Sequence, residues 1–190
     1  MNLRRIGRVL GMSYQRVANW AKAYAAQLPD APPPPSAPRG SGGTRRGVYL
    51  CRDKKTRIYL LTQVDRTTRC FLSWSVATDR DQATIQTLVD AAPHATQYYS
   101  DAWTGYENVV YSPGQHTSLP NKTQTYRVEA GNAELRHYLA RLGRRSRCFS
   151  RSLAALRAAL SLFVFAWNRR QLAKQQYPQY HYALADFLYP

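Results

Sequence analysis

The stretch Tyr98-Tyr-Ser-Asp-Ala-Trp-Thr-Gly-Tyr106 carries an acid, Asp101, at the point where a predicted β-strand ends. Residues 95–100 bring two adjacent tyrosines after a helical pattern and a loop, which predicts a short strand. Thr104-Gly105 then provides a turn by which the chain leaves the sheet. Ligand-binding groups collect at the carboxyl ends of strands in open α/β sheets, so Asp101 is a candidate functional acid. The alternative is an aspartate that caps a turn or a helix.

A second acid, Glu129, lies near the beginning of a basic stretch with a helical pattern. The sequence there reads Thr125-Tyr-Arg-Val-Glu-Ala-Gly-Asn132, and residues 133–146 continue it with several arginines. Asn132 follows Glu129 by three residues, so the two side chains share one helix face. The two stretches together favour a functional site that contains both acids.

The charge balance points to a polyanionic partner. The chain has 190 residues, enough for one domain and a small appendage. It carries 27 Lys and Arg against 11 Asp and Glu, a formal charge of +16. Nucleic acid is the commonest polyanion, although a ribosomal or membrane-surface protein would have the same charge. The charge by itself therefore does not identify the partner.

Cysteine usage and hydropathy predict a cytoplasmic protein. Cys51, Cys70 and Cys148 show no C-x-x-C spacing and no histidine at metal-ligand spacing, which favours reduced cysteines partly buried in strands. The basic first residues are not followed by the apolar core of a signal peptide. The longest apolar run, residues 160–167, is too short to span a bilayer.

Residues 1–27 have the pattern of a partial helix-turn-helix DNA-binding segment. A short helix ends at Gly11, and Ser13 caps a second helix over residues 14–26. In such a unit the second helix enters the major groove, although a plain helical hairpin has the same pattern. The polar residues expected to face DNA are Gln15, Arg16 and Asn19. The residues expected at the apolar spacing are Val17, Trp20, Ala21 and Tyr24.

Residues 28–43 are rich in proline and glycine, which predicts a linker. Residues 44–190 form the main domain. Short polar turns separate strand-like runs at residues 47–51, 57–64 and 70–76, which predicts antiparallel neighbours. A helix over residues 81–91, the strand ending at Asp101, an irregular stretch through Pro113 and Pro120, and a helix over residues 128–142 follow. Ser150 or Ser152 then caps a long last helix. This order predicts an α/β fold with a ribonuclease-H-like mixed sheet flanked by helices.

Residues 128–152 closely resemble the C-terminal signature of insertion-sequence-one transposases. In that family I-E-R-x-N is followed by L-R, L-A-R-L-G-R-K-S and F-S-K-S, and here Val128-Glu-Ala-Gly-Asn132 opens a similar series. Residues 99–106 resemble the family's T-D-G-W-x-x-Y. Residues 57–76 are similar to its strand–Asp–basic turn–strand pattern, and the N-terminal segment resembles the end of its helix-turn-helix.

The resemblance implies a DDE transposase that cuts and joins DNA by two-metal phosphoryl transfer. Asp101 matches the family's second acid and Glu129 its third, with Asn132 as a positioning residue. Mg²⁺ is the implied cofactor, and Mn²⁺ can substitute for it. The implied partners are double-stranded DNA, as element ends and target, and further copies of the chain in a homo-oligomer on DNA. The implied setting is the nucleoid of a bacterial cytoplasm. Arginines expected to grip phosphates, or to form a solvated basic face, are Arg136, Arg141, Arg144, Arg145, Arg147 and Arg151.

At the position of the first acid, the sequence differs from the family pattern. The family's D-E at the head of the first strand falls on Arg45-Arg46. Asp65 or Asp53 could substitute in an active transposase, and Asp65 is the candidate catalytic and metal-binding residue of the two. The alternative is a catalytically inactive remnant that binds DNA and represses transposition. A general RNA-binding or ribosome-associated protein is a third interpretation, which leaves the pairing of Asp101 with Glu129 unexplained.

Overall fold

The computed structural model describes residues 3–28, 42–50, 57–119, 126–139, 142 and 152–176. None of the helices in these ranges is both long and apolar enough to cross a membrane. The helices are α1 (Leu3–Val9), α2 (Tyr14–Gln27), α3 (Gln82–Asp90), α4 (Tyr126–Tyr138) and α5 (Leu153–Gln176). The strands are β1 (Gly42–Leu50), β2 (Arg57–Asp65), β3 (Phe71–Ala77), β4 (Gln97–Asp101) and β5 (Gln115–Leu119).

The five strands form one mixed sheet in the order β3-β2-β1-β4-β5. β1 pairs antiparallel with β2, and β2 pairs antiparallel with β3. β4 runs parallel to β1, and β5 runs parallel to β4. The predicted α/β class and the antiparallel order of the first three strands are confirmed. The first strand lies directly beside the strand that ends at Asp101, which fits the expected ribonuclease-H-like arrangement.

Helices cover the sheet on both faces. Leu60 and Val64 of β2 pack in a core with α4 and α5, on what we call the α4 face. Leu61 lies between them in sequence and packs with α3 and Tyr98 of β4, on the α3 face. Because side chains alternate along a strand, these contacts fix the face of every residue in β2 and β4.

The long helix α5 also protects the edge of the sheet at β3. Buried Asn168 accepts a hydrogen bond from the Phe71 backbone nitrogen through Oδ1 and donates one to the Phe71 carbonyl through Nδ2, each at 2.8 Å. Arg157 Nη2 donates to the carbonyl of Val76 at 3.1 Å. An open edge presents such backbone groups to other chains, so α5 blocks edge-to-edge pairing here. Ser152 Oγ accepts from Ala155 N at 3.2 Å, which confirms one of the two predicted caps; Ser150 lies outside the described residues.

The N-terminal segment folds as the predicted pair of helices. Gly11 adopts a left-handed φ of 64°, which lets the chain reverse between α1 and α2. Ser13 caps α2, where its Oγ accepts from Arg16 N at 3.3 Å. α2 packs on α5, with the rings of Tyr24 and Phe165 edge to face at 6.5 Å. A DNA-reading role for this segment stays a prediction.

The predicted apolar stripe of α2 is wrong for its aromatic residues. Val17 and Ala25 are buried, but Trp20 is 55 % exposed and Tyr24 is 51 % exposed. The main packing partners of α2 in the described part of the chain are α1 and α5, and the face that they cover is narrower than a four-residue stripe requires.

Two strand assignments also need correction. β1 begins at Gly42, five residues earlier than predicted and inside the predicted linker, of which residues 29–41 lie outside the described ranges. Its glycines are held by backbone pairing with β2 and β4, which needs no apolar side chain. β5 forms in a stretch predicted to be irregular. Its sequence Gln115-His-Thr-Ser-Leu119 is polar, as an edge strand permits, and so lacks an apolar alternation.

We expect Asn168→Ala to lower the free energy of unfolding by about 1–3 kcal/mol, because it leaves a buried backbone donor and acceptor at Phe71 without partners. Gln175→Ala is the matched control, since exposed Gln175 makes one 3.4 Å bond to the Thr67 carbonyl. The control should change stability by about 0.5 kcal/mol or less. Urea denaturation midpoints measure both changes. Equal losses would contradict a special role of Asn168 at the sheet edge.

Candidate active site

Asp101 ends β4 on the α4 face of the sheet. Tyr98 packs on the α3 face, so alternation puts Tyr99 and Asp101 on the opposite one. Asp101 is half-buried, and no described residue gives its buried Oδ1 a hydrogen bond. A buried carboxylate oxygen without a partner is costly, and it is also the kind of hard oxygen ligand that Mg²⁺ prefers.

The backbone of Asp101 is held by serines on two strands. Ser100 Oγ donates to the Asp101 carbonyl at 3.0 Å, and Ser118 Oγ of β5 donates to the same oxygen at 3.2 Å. β5 therefore fixes the end of the strand that carries the acid.

Helix α4 turns Glu129 toward the side of the sheet on which Asp101 lies. A Cβ added to Gly131 would lie 3.3 Å from the Phe71 ring and 3.6 Å from Val64, so this flank of α4 faces β3 and β2. Successive residues are about 100° apart around a helix, which puts Glu129 and Arg136 on the other flank, toward β1 and β4. Glu129 is half-buried and its Oε1 is buried.

We call the region between this flank of α4 and β4 the α4–β4 groove; helix periodicity assigns Glu129 and Arg136 to its α4 side (the wall), and strand alternation assigns Tyr99 and Asp101 to its β4 side (the floor). Asp101 and Glu129 thus lie on the same side of the sheet, and their joining in one site stays a prediction.

Asn132 fixes the rotation of α4 that produces this groove. It is 3 % exposed, and its Oδ1 accepts a hydrogen bond from Thr62 Oγ1 of β2 at 3.3 Å. Val128 and Leu135 bury the same helix face in the core. The bond is compatible with the predicted positioning role, and a direct catalytic role of Asn132 stays a prediction.

The backbone position beside Asp101 in β1 belongs to Arg45. Thr44 is opposite Ser100 in the parallel register, so the next residue of each strand brings Arg45 level with Asp101. On its other side Arg45 is opposite Thr62, which lies on the α4 face. No group of three or more His, Cys, Asp or Glu within the described ranges could hold a metal ion. Asp53, one of the substitutes considered for the first acid, lies outside those ranges.

Asp65, the other substitute, lies on the opposite face and at the other end of the strands. It is 6 % exposed, and its Oδ2 accepts from both the backbone nitrogen and Oγ1 of Thr68, at 2.7 and 2.6 Å. By the alternation of β2 it lies on the same face as Leu61, the α3 face. It pairs with Gly42 of β1, which in turn pairs with Tyr98 of β4, three residues before Asp101. Three residues along a strand and two strands across correspond to roughly 14 Å in the plane of the sheet. The structure therefore does not bring Asp65 to Asp101; the carboxylate shapes the β2–β3 turn.

Cys70 follows this turn and is buried with a free thiol. Burial raises the pKa of the thiol to about 11; the negative charge of Asp65 adds to this effect, and a hydrogen bond with Thr68 opposes it. The thiol is protonated at neutral pH, so Cys70 is the packed, reduced cysteine that the sequence predicted. Cys51 and Cys148 lie outside the described residues.

The turn after Asp101 is locked by the aromatic residues of the opening motif. A Cβ added to Gly105 would clash with the Trp103 ring, so a larger residue would require this ring to move. The Trp103 ring meets Tyr106 edge to face at 5.2 Å, and Arg80 Cζ lies 4.9 Å from its centroid. The Trp and Gly of the motif therefore determine the path by which the chain leaves the acid.

Of the residues predicted to bind DNA, those that the structure describes reach solvent. Arg136 is half-buried on the groove wall, and Gln15, Arg16 and Asn19 are exposed on α2, where Gln15 Nε2 donates to Asn19 Oδ1 at 3.2 Å. Their DNA contacts stay predictions. The remaining arginines, Arg141, Arg144, Arg145, Arg147 and Arg151, lie outside the described residues.

His116 of β5 is a site residue that sequence analysis missed. Its Nε2 lies 2.9 Å from Ser100 Oγ, and its ring stacks on Tyr111 at 4.2 Å. Burial lowers the pKa of His116 and raises the pKa of Tyr111. A single histidine in a polar stretch has no sequence pattern that marks it as a site residue. Only the pairing of β5 with β4 brings it to the strand that carries Asp101.

We expect His116 to make the free energy of unfolding fall as the pH drops below about 6.5. The unfolded chain, in which the imidazole has its ordinary pKa near 6.5, takes up a proton before the folded chain does. The stability is therefore full above that pH and is lost as the pH falls through the lowered pKa. Urea midpoints at neutral and mildly acidic pH should show a smaller acid loss in His116→Gln than in the wild type. Exposed His94→Gln is the control, and an acid loss unchanged in His116→Gln would contradict the assignment.

Solved structures similar to the chain include a retroviral intasome and an integrase catalytic core domain. A simian T-cell lymphotropic virus intasome in complex with PP2A regulatory subunit B56 gamma matches with a TM-score of 0.49 and 15 % identity, over 82 % of this chain and 62 % of that one. The HTLV-2 integrase catalytic core domain in complex with magnesium, in a trimeric form, matches with a TM-score of 0.47 and 13 % identity, over 67 % of this chain and 86 % of that one. The chain thus spans less than two thirds of the first matching protein. No curated protein matches the sequence.

A family model described as IS1 transposase matches residues 48–165. The matched segment is more than half of the 190 residues and contains both Asp101 and Glu129. The chain therefore belongs to the IS1 transposase family.

Proposed function

We propose that this protein is a DDE-type DNA transposase in which Asp101 and Glu129 bind the catalytic metal and DNA strands are cut and joined by phosphoryl transfer. The observation that supports the proposal is the position of both acids on the same side of the sheet, on β4 and on the flank of α4 that faces β1 and β4. Both lie in the segment matched by the IS1 transposase family, and each resembles an acid of that family's pattern.

The donor atoms of the groove fit a hard divalent cation. Asp101 and Glu129 would hold it through carboxylate oxygens, of which Asp101 Oδ1 is buried and has no hydrogen-bond partner within the described residues. Mg²⁺ prefers such ligands, and Mn²⁺ accepts the same set. Bound there, the metal would neutralise charge on the scissile phosphate and lower the pKa of an attacking water or 3′-hydroxyl.

The remaining residues of the groove orient these acids and attract the substrate. Ser100 and Ser118 hold the backbone of Asp101, and Asn132 holds the rotation of α4 from which Glu129 projects. Pre-oriented ligands have less conformational entropy to lose on binding. The formal charge of +16 attracts DNA over the whole surface, against the local repulsion of the two acids.

A catalytically inactive DNA-binding remnant is the second candidate. It is favoured by the register position of Arg45, which stands beside Asp101 where the family pattern has an acid. A cation at that position would oppose the entry of a divalent metal. Such a protein would still bind DNA and could repress transposition by occupying the element ends.

The partners proposed with either function are double-stranded DNA, as element ends and target, and further copies of the chain. The nucleoid of a bacterial cytoplasm remains the expected location. A general RNA-binding role is less well supported, because it gives no reason for two acids in one groove of a strongly basic chain.

We expect Asp101→Asn and Glu129→Gln each to abolish Mg²⁺-dependent nicking of DNA that carries the element's ends. Metal binding by calorimetry should weaken as well, whereas DNA affinity should stay equal or rise, because a negative charge leaves the groove. Asp90→Asn and Glu134→Gln are matched controls, since Asp90 is exposed on α3 and Glu134 is on the other flank of α4. Loss of the fold in either test variant, judged by its unfolding midpoint, would mean that the acid is structural.

A second experiment separates the active from the inactive protein. The same nicking assay is run on the wild type, Asp65→Asn and Arg45→Asp. We expect Asp65→Asn to behave as the wild type, because its carboxylate is engaged by Thr68 on the other face. Activity lost in Asp65→Asn would instead make it the missing ligand. Activity that only Arg45→Asp gains would identify the native chain as an inactive transposase core.

A further inference from the structure

A cation–aromatic pair lies on the α4 face beside the acid of β4. Arg66 begins the turn after β2, and its Cζ lies 4.9 Å from the ring centroid of Tyr99. Both side chains are half-buried. Tyr99 is on the floor of the α4–β4 groove, two residues before Asp101.

The backbone register explains how Arg66 reaches a ring two strands away. Val64 at the end of β2 is opposite Gly43 of β1, and Gly43 is opposite Tyr99 of β4. The residue between β2 and β4 in this row is a glycine, so no side chain separates the turn from the ring. An arginine is long enough to cross one strand, which is about 4.8 Å wide.

The ring fixes the guanidinium without neutralising it. Contact with the face of an aromatic ring holds a cation while its N–H donors stay free to bind an anion. The nearest carboxylate in sequence, Asp65, accepts two hydrogen bonds from Thr68 on the opposite face of the sheet. Arg66 thus presents a positioned positive charge to the groove.

The spacing along the groove suits the backbone of a nucleic acid strand. Tyr99 and Asp101 are about 6.6 Å apart along β4, comparable to the separation of consecutive phosphates of a DNA strand, which exceeds the axial rise of about 3.4 Å per nucleotide because the backbone winds around the helix axis. Arg136 follows Asn132 by one helical turn on the wall of the groove, toward its other end.

We propose that Arg66, held on the Tyr99 ring, binds a backbone phosphate of the DNA strand whose neighbouring phosphate reaches Asp101. The inference rests on the proposed function for the identity of the strand, and it assigns Arg66 and Tyr99 a substrate-positioning role in addition to that function. A phosphate contact of this kind sets the register of the strand and carries no sequence preference.

The test measures binding of a labelled random-sequence duplex over a salt series, with EDTA present so that no strand is cut. Arg66→Gln should weaken binding about tenfold and reduce the slope of log affinity against log salt by about 0.9, the value of one phosphate contact. Arg80→Gln is the matched control: Arg80 is also half-buried and also stacked on rings, of Tyr59 and Trp103, but belongs to the α3 face. Its slope should equal that of the wild type.

Variants of Tyr99 test the ring without changing the net charge. Tyr99→Phe keeps the aromatic face and should bind as the wild type does. Tyr99→Leu removes the face and should weaken binding toward the level of Arg66→Gln. Arg66→Lys, which keeps the charge, should retain the salt slope, and it serves as the fold-preserving variant if Arg66→Gln unfolds at a lower urea concentration.

Equal salt slopes for Arg66→Gln and Arg80→Gln would overturn the phosphate contact, as would a flat salt dependence of the wild type. Wild-type affinity in Tyr99→Leu would overturn the role of the ring. Because no step of this assay needs cleavage, its outcome is separate from that of the nicking assay. A wild type that nicks DNA while Arg66→Gln binds like Arg80→Gln would refute this inference alone, and a reduced slope in a protein that does not nick would refute only the proposed chemistry.

Discussion

The docking of α4 on β2 is the interaction on which the arrangement of the site depends. Gly131 allows close approach to Phe71 and Val64, and the Thr62–Asn132 hydrogen bond fixes the rotation of the helix. A larger side chain at Gly131 would push α4 outward by a few tenths of an ångström, and loss of the buried hydrogen bond would free its rotation. Either change would move Glu129 relative to Asp101, although neither Gly131 nor Thr62 has an ionisable group.

The two faces of the sheet have different physical tasks. On the α3 face, Tyr98, Ser100 and His116 are packed or hydrogen-bonded, so the inner strands are held rigidly there. On the α4 face, β4 carries half-buried Tyr99 and Asp101 beside the flank of α4. The packed and hydrogen-bonded α3 face therefore supports the backbone that carries Tyr99 and Asp101 on the other side. The serines of β4 and β5 extend this support to the carbonyl of Asp101 itself.

In a chain with so many basic residues, two acids on the same side of the sheet need a physical explanation. Eleven acids are distributed in a chain with 27 basic residues, and ion pairing at the surface would be their ordinary use. Asp101 instead has a buried oxygen without a hydrogen-bond partner in the described part of the chain. The cost of that arrangement is understandable where a cation is to be bound, whereas the neighbouring backbone position of β1 belongs to Arg45 and not to an acid. The identity of that residue is therefore the main departure from the family pattern.

The sequence by itself determined the types of the helices and of the first four strands, the basic character and the family, and it identified the two candidate acids. These are encoded locally, in apolar periodicity, caps such as Ser13 and Ser152, and motifs that keep their residues close together. Only the tertiary structure decided that β5 exists, that His116 reaches Ser100, that Asp65 belongs to the other face, and that Trp20 is left exposed. Polar edge strands are held by backbone hydrogen bonds, which leave no pattern in side-chain types. The alternation of side chains along a strand likewise shows that the strand has two faces, but it does not show which helix covers each face. That choice is made by the pairing of β1 with β4 and by the helices that pack on the finished sheet, since both depend on residues distant in sequence.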